Sequence, residues 1–303
     1  MFGSLWWWCS GLYVNSSDAI DLFAFIHTLP NLTTLSISML SRSLDLFESA
    51  FTAPNPPTPT FFLLPTIKSL TLTPSASFLA AHCPDLLHLT IRDNNEQCTI
   101  EPSSSLSSRL LPSTPTFPSA TLPSKTLTHL STTAAWSTPE LNFLVSNFPN
   151  LTHLNMQSEQ YTYRASIPCI MVILSRLKGL RVLRLNRIHK LDVGYRAVWK
   201  RVVQECRTEG ERMELWRGDE RRRVGAENEV VGCAMRCCGR LREVWVGGER
   251  VARRIVGGEE EGEGVKWVWE RRREDVDGEG VSALWAKYRV ERQGVVVAWE
   301  VGM

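Results

Sequence analysis

Apolar phrases of the form Leu-x-x-Leu-x-Leu, or a close aliphatic variant, recur along the chain behind segments with helical spacing. Leu32-Thr33-Thr34-Leu35-Ser36-Ile37 is the first, and it returns as Leu86-Leu87-His88-Leu89-Thr90-Ile91 and Leu151-Thr152-His153-Leu154-Asn155-Met156. Leu180-Arg181-Val182-Leu183-Arg184-Leu185 and Leu241-Arg242-Glu243-Val244-Trp245-Val246 continue the pattern. Side chains alternate across a strand, so the leucines share one face and the intervening residues the other. With Leu35 as reference, the equivalent positions are Leu70, Leu89, Leu130, Leu154, Leu183, Leu215 and Val244, at gaps of 19 to 41 residues. A strand that keeps returning behind a helix predicts stacked units sharing one aliphatic spine.

The intervening segments supply the helices. Ile20, Phe23, Ile26 and Leu29 recur at helical spacing, which predicts a helix over 19–29 with Asp18 as its N-cap and Pro30 as its stop. Further helices are expected over 75–82, 139–148, 168–177, 193–207 and 227–238. Met213-Glu214-Leu215-Trp216 reads as a degenerate strand. Pro-rich 52–60 and Ser/Thr/Pro-rich 102–126 read as loop insertions. Val265, Trp267 and Trp269 alternate as a late strand, followed by a helix over 281–288 and a strand over 295–301. The expected organisation is a segment over 1–18, a repeat array over 19–303 and a C-terminal cap from about residue 265 onward.

Aligning the phrases places three columns on the face away from the leucines. The first collects Thr34, Ser69, His88, His129, His153, Val182 and Glu243. The second collects Ser36, Thr71, Thr90, Ser131, Asn155, Arg184 and Trp245. The third holds Ser38, Thr73, Arg92, Thr133, Gln157 and Asn186. Neighbouring strands lie about 4.8 Å apart, so the three histidines can stack. The expected partner-binding residues are His88, His129, His153, Asn155, Arg184, Trp245, Arg92 and Gln157, with Trp216 a further anchor candidate. A polar ladder is the reading preferred over a metal site, because no carboxylate or thiol completes a coordination sphere.

Charge is unevenly spread. Residues 1–160 hold 5 Lys/Arg against 10 Asp/Glu, whereas 161–303 hold 29 against 22. In the basic half the two signs are interleaved, which favours a solvated face over a nucleic-acid surface. The alternative reading is a basic scaffold that binds nucleic acid through 161–303. The arginine triplets at 221–223 and 271–273 would serve it as phosphate contacts.

Other chemistry is sparse. Gly257 to Gly264 lacks the Lys-Ser/Thr ending of a phosphate loop and carries four glutamates. No Gly-x-Ser-x-Gly or His-Glu-x-x-His occurs, so neither an enzyme nor a cofactor is expected. The eight cysteines show no pairing pattern, and Cys83 and Cys238 sit at equivalent points as small buried hydrophobes. No uninterrupted apolar run reaches 18 residues and no basic signal start is present, so a cytoplasmic or nuclear location is expected, without a membrane.

The phrase His82-Cys83-Pro84-Asp85-Leu86-Leu87-His88-Leu89 resembles the cysteine-containing type of leucine-rich repeat, as do Phe148-Pro149-Asn150-Leu151-Thr152-His153-Leu154 and Cys237-Cys238-Gly239-Arg240-Leu241. That type is common in F-box proteins, including fungal ones. The resemblance implies an α/β leucine-rich-repeat solenoid, with a parallel concave sheet and helices on the convex side. It also implies a non-catalytic interaction module whose concave face recruits a protein, as the substrate arm of a ubiquitin-ligase adaptor does. An F-box is a helical module ahead of the repeats, and the 18 residues before the first expected helix are too few to hold one. Ligase subunits are therefore expected as partners only where an F-box is supplied upstream.

Overall fold

The computed structural model describes residues 3–8, 16–38, 63–92, 125–133, 138–157, 166–185, 208–247, 250–255 and 266–271. The described residues form a mixed α/β fold with ten strands, in a sheet not closed into a barrel. Two compact units divide the chain, one of residues 1–165 with 176–179 and one of 166–175 with 180–303.

The first unit carries β1 (Ser4–Trp8), α1 (Ser16–His27), β2 (Thr34–Ser38), β3 (Ser69–Leu72), a 3₁₀ segment (Pro74–His82), β4 (His88–Ile91), β5 (His129–Thr133), α2 (Thr138–Asn147) and β6 (His153–Gln157). All six strands are parallel. Their register aligns Leu35, Leu70, Leu89, Leu130 and Leu154 in one row. Rows of Leu32, Ile67, Leu86, Leu127 and Leu151, and of Ile37, Leu72, Ile91, Thr132 and Met156, run beside it, and every member is buried. Each buried aliphatic side chain contributes about 1.5–3 kcal/mol, so these rows dominate the unit's stability.

The chain enters β2, β3, β4 and β6 through the same turn. Leu32, Ile67, Leu86 and Leu151 each donate a backbone N–H to the carbonyl three residues back, on Leu29, Leu64, Cys83 and Phe148. The N–H groups of Ser69, His88, His129 and His153 then bond to Thr33, Lys68, Leu87 and Thr128 of the preceding unit. Repetition of the phrase in sequence is thus repetition of one hydrogen-bonded corner.

The second unit carries α3 (Ile167–Leu174), β7 (Val182–Leu185), α4 (Glu209–Cys237), β8 (Glu243–Val246), β9 (Arg250–Arg254) and β10 (Trp267–Arg271). β7 and β8 are parallel, pairing Leu183 with Val244, and the same corner recurs as Leu241 N–H to Cys238 carbonyl. Antiparallel pairing then takes over from β8 through β9 to β10. The reversal starts at Gly247, whose φ of 61° is a left-handed conformation that a side chain would strain.

Several expectations are corrected. The first helix begins at Ser16, so Asp18 lies inside it and is not its cap. The segment ahead of that helix supplies β1, which the leucine phrase does not mark. Residues 74–82 form a 3₁₀ segment, with Pro74 in its first turn. Met213-Glu214-Leu215-Trp216 is not a strand but part of α4, where Leu215 is exposed. A capping box starts that helix: Thr208 Oγ1 accepts from Glu211 N–H and the Glu211 carboxylate accepts from Thr208 N–H, both at 3.2 Å. The late strand is the second arm of a β9–β10 hairpin. The loop at 52–60, the helix over 193–207 and the elements after 271 lie outside the described residues. So does the insertion at 102–126, except for Lys125 and Thr126 in the turn before β5.

Candidate functional site

The columns read from the sequence meet in register on the face opposite the leucines. Within the first unit, Thr34 stands beside Ser69, Ser69 beside His88, His88 beside His129, and His129 beside His153. Ser36, Thr71, Thr90, Ser131 and Asn155 form the next column. All of these described positions are uncharged side chains, a mix of hydroxyls, one amide and imidazoles.

The histidines stack. His88 and His129 have ring centroids 4.1 Å apart with 11° between planes, and His129 and His153 are 3.9 Å apart with 13°. Threonines fix two of the rings. Thr128 Oγ1 lies 2.8 Å from His129 Nδ1 and 3.2 Å from the Leu87 carbonyl oxygen. Thr152 Oγ1 lies 2.9 Å from His153 Nδ1 and 3.1 Å from the Thr128 carbonyl oxygen. Each hydroxyl thus bridges a ring nitrogen and a carbonyl just ahead of the preceding strand, and the ring tautomer sets which of the two takes its proton. Burial, then the neighbouring His153 and His88, pushes the His129 pKa down from 6.5 to about 4.

Asn155 Nδ2 donates to Ser131 Oγ at 3.0 Å, so the second column is also tied across strands. Arg92 is exposed just beyond β4, its N–H bonded to the Leu72 carbonyl at 2.8 Å. Gln157 ends β6, paired through its backbone with Thr133. Of the third column, Asn186 and the side chains of Gln157 and Thr133 lie outside the described part of the structure, as does the Trp216 side chain.

In the second unit two of the four equivalent positions, Arg184 and Glu243, carry charge, beside Trp245 and Val182. The Arg184 guanidinium sits 4.6 Å from the centre of the Trp245 ring, a cation–π contact. Trp245 was expected to be an open contact, but it is only 9% exposed. Its Nε1 donates to Glu243 Oε2 at 3.1 Å, which leaves Arg184 as the exposed member of the pair. Glu243 also meets Arg253 at 3.3 Å, and Arg253 meets Glu270 at 2.7 Å. Behind this face, buried Glu227 on α4 pairs with Arg250 at 2.5 Å.

The thiols are elsewhere. Cys83 is buried in its corner, and burial pushes its pKa up to about 12. Cys233 rises to about 11, through burial and then the adjacent Cys237. Both shifts oppose thiolate formation. Among the described residues no group of three or more His, Cys, Asp or Glu is arranged to hold a metal ion. The histidine planes are nearly parallel, so their in-plane lone pairs do not converge on one point.

Sequence reasoning missed the threonine locks, although the repeated Leu-Thr-His-Leu at 127–130 and 151–154 is their signature. It also missed the Glu243–Arg253–Glu270 chain, because no leucine phrase announces β9. No helix of the described residues is long and apolar enough to cross a membrane. Compared with protein-family models, curated proteins and solved structures, the chain finds no match in any of the three.

Proposed function

We propose that this chain is a leucine-rich-repeat protein of the cysteine-containing type, and that its ladder face binds a protein partner without catalysis. One observation carries the reading: five in-register parallel strands, β2 to β6, bury their leucines and turn two columns of polar side chains the other way. Cys83 and Cys238 support the repeat type, since each accepts the same corner hydrogen bond and each is buried. In the first unit Asn155 and the three histidines are the expected contacts, with Arg92 and Gln157 at the margin; in the second unit Arg184 is the expected contact. Recruitment to a ubiquitin ligase would follow only with an F-box supplied upstream.

The alternative, a nucleic-acid scaffold over 161–303, draws less support. Phosphate binding needs cations that are free to pair. Arg250 and Arg253 instead face carboxylates, and Arg254 is committed to backbone carbonyls.

A photo-cross-linking residue placed at Ser131 on the ladder, and separately at exposed Ser146 on α2, tests the proposal in cell extract. A discrete protein adduct from the ladder position, lost on adding Asn155→Arg, is the expected result. Identical adduct patterns from both positions would overturn the reading.

A further inference from the structure

One position recurs just ahead of the parallel strands, and the two units fill it differently. Ahead of β2 to β6 the first unit holds Thr33, Lys68, Leu87, Thr128 and Thr152, each of the last four donating its backbone N–H to the carbonyl of the one before. Lys68 is the one charge among them, and Asp85 pairs with it at 3.0 Å. Ahead of β7 and β8 the second unit holds Arg181 and Arg242, with the Arg242 N–H bonded to the Arg181 carbonyl at 2.8 Å. Both are exposed. Parallel strands about 4.8 Å apart set these two like charges side by side, which is destabilising.

No acid on the neighbouring strands answers them. Glu243 Oε2 accepts from the Trp245 N–H and Oε1 faces Arg253, which also holds Glu270. Arg240, in the same corner as Arg242, and Arg184, further along β7 from Arg181, are exposed as well. Among the described residues none of these four arginines has a carboxylate partner, whereas Arg250, Arg253 and Arg254 are all engaged. Arg184 is also pre-set. Its guanidinium lies 4.6 Å from the centre of the Trp245 ring, and Glu243 holds that ring by its N–H.

We propose that Arg181, Arg240 and Arg242, with Arg184 beside them, form a docking site for a protein segment rich in aspartate and glutamate. Charge complementarity names the occupant. Guanidinium forks take carboxylates in bidentate fashion, and a carboxylate set between Arg181 and Arg242 relieves a repulsion that the free chain retains. The cluster is small, about 10 Å from residue 181 to residue 184 along an extended strand. A nucleic-acid strand, charged at every phosphate, would run on into Glu243 and Glu270, whereas a peptide can set neutral residues against them. This deepens the interaction reading by giving Arg184 a partner of stated chemistry, and rests on it only there. No ladder residue of the first unit enters the test, so the two readings fail separately.

The test uses the full chain and a short fluorescent peptide of alternating Glu and Ser, followed by anisotropy at about 50 mM salt. The acidic peptide is expected to bind and to weaken as salt is added, while a Gln/Ser version stays free. Arg181→Gln and Arg242→Gln should each weaken binding about fivefold, the scale of one exposed charge-assisted contact. Arg236→Gln, which removes the same charge from the exposed last turn of α4, should leave it unchanged. Arg242→Gln removes a repulsion, so its urea midpoint should hold or rise. Four results would each overturn the proposal: no binding of the acidic peptide, an equal loss in Arg236→Gln, a lowered midpoint in Arg242→Gln, or tighter binding of an oligothymidylate of equal charge.

Discussion

The ladder faces of the two units follow one register rule and reach opposite chemistries. In the first unit, parallel strands set equivalent residues side by side, so histidine stands on histidine and threonine on serine. A charged residue repeated in such a column would face its own sign, and uncharged side chains avoid that penalty. In the second unit the antiparallel hairpin crosses unlike residues. Glu243 comes to lie opposite Arg253, and Arg253 reaches on to Glu270. Parallel repetition favours neutral columns, whereas chain reversal allows charge pairing.

Substitutions in the two units sharpen this contrast. The largest effect is expected from Leu154→Ala, which opens a cavity in the central leucine row of the first unit. It should cost about 2–5 kcal/mol by urea unfolding, and an unchanged midpoint would refute the shared spine. In the second unit Glu227→Ala removes the buried carboxylate that faces Arg250, at a cost of about 3 kcal/mol. If the loss is much smaller, the pair is replaceable by water and the charged unit does not depend on its ion pairs.

Acidification separates the units by titration instead. The folded His129 pKa lies below its ordinary 6.5, near 4, so the unfolded chain takes up that proton first as pH falls. Stability from this residue is complete above pH 6.5 and erodes between pH 6.5 and 4. Denaturant midpoints measured across that window should fall, and His129→Gln should flatten the slope. A slope unaltered by the substitution would place the acid sensitivity elsewhere.

The smallest effect is a gain. Thr132 replaces an aliphatic residue in a core row, and its hydroxyl is buried without a hydrogen bond among the described residues. Thr132→Val should stabilise by about 1 kcal/mol, measured by thermal unfolding. Destabilisation would mean that the hydroxyl has a partner after all.

The strand phase was legible because each phrase states it twice, once in its leucines and once in the polar residues between them. Leu35 through Leu154 and the Leu183–Val244 pair all fall in the register their spacing implies. Leu215 failed the same test. A four-residue apolar phrase fits a helix as well as a strand. The deciding signals lay outside it, in Thr208, Glu211 and the absence of proline from 209–237. β1 escaped notice because Leu5-Trp6-Trp7-Trp8 lacks alternation, and β9 because Arg250-Val251-Ala252-Arg253-Arg254 reads as a solvated basic run. Of the candidate site, positions were readable and orientations were not. Arg184 and Trp245 were both visible as neighbours, but which one covers the other depends on Glu243 holding the indole N–H.

Arg254 has a consequence for how the second unit is made. Its guanidinium clasps the carbonyls of Met235, Cys238 and Leu241 at 2.5, 3.3 and 2.8 Å, binding the end of α4 and the following corner from a strand that comes later in the chain. During synthesis on the ribosome, that helix terminus has to wait for the latch to emerge before its last oxygens gain these donors. A nascent chain stopped short of residue 254 would therefore carry a frayed helix end, a natural foothold for proteolytic quality control.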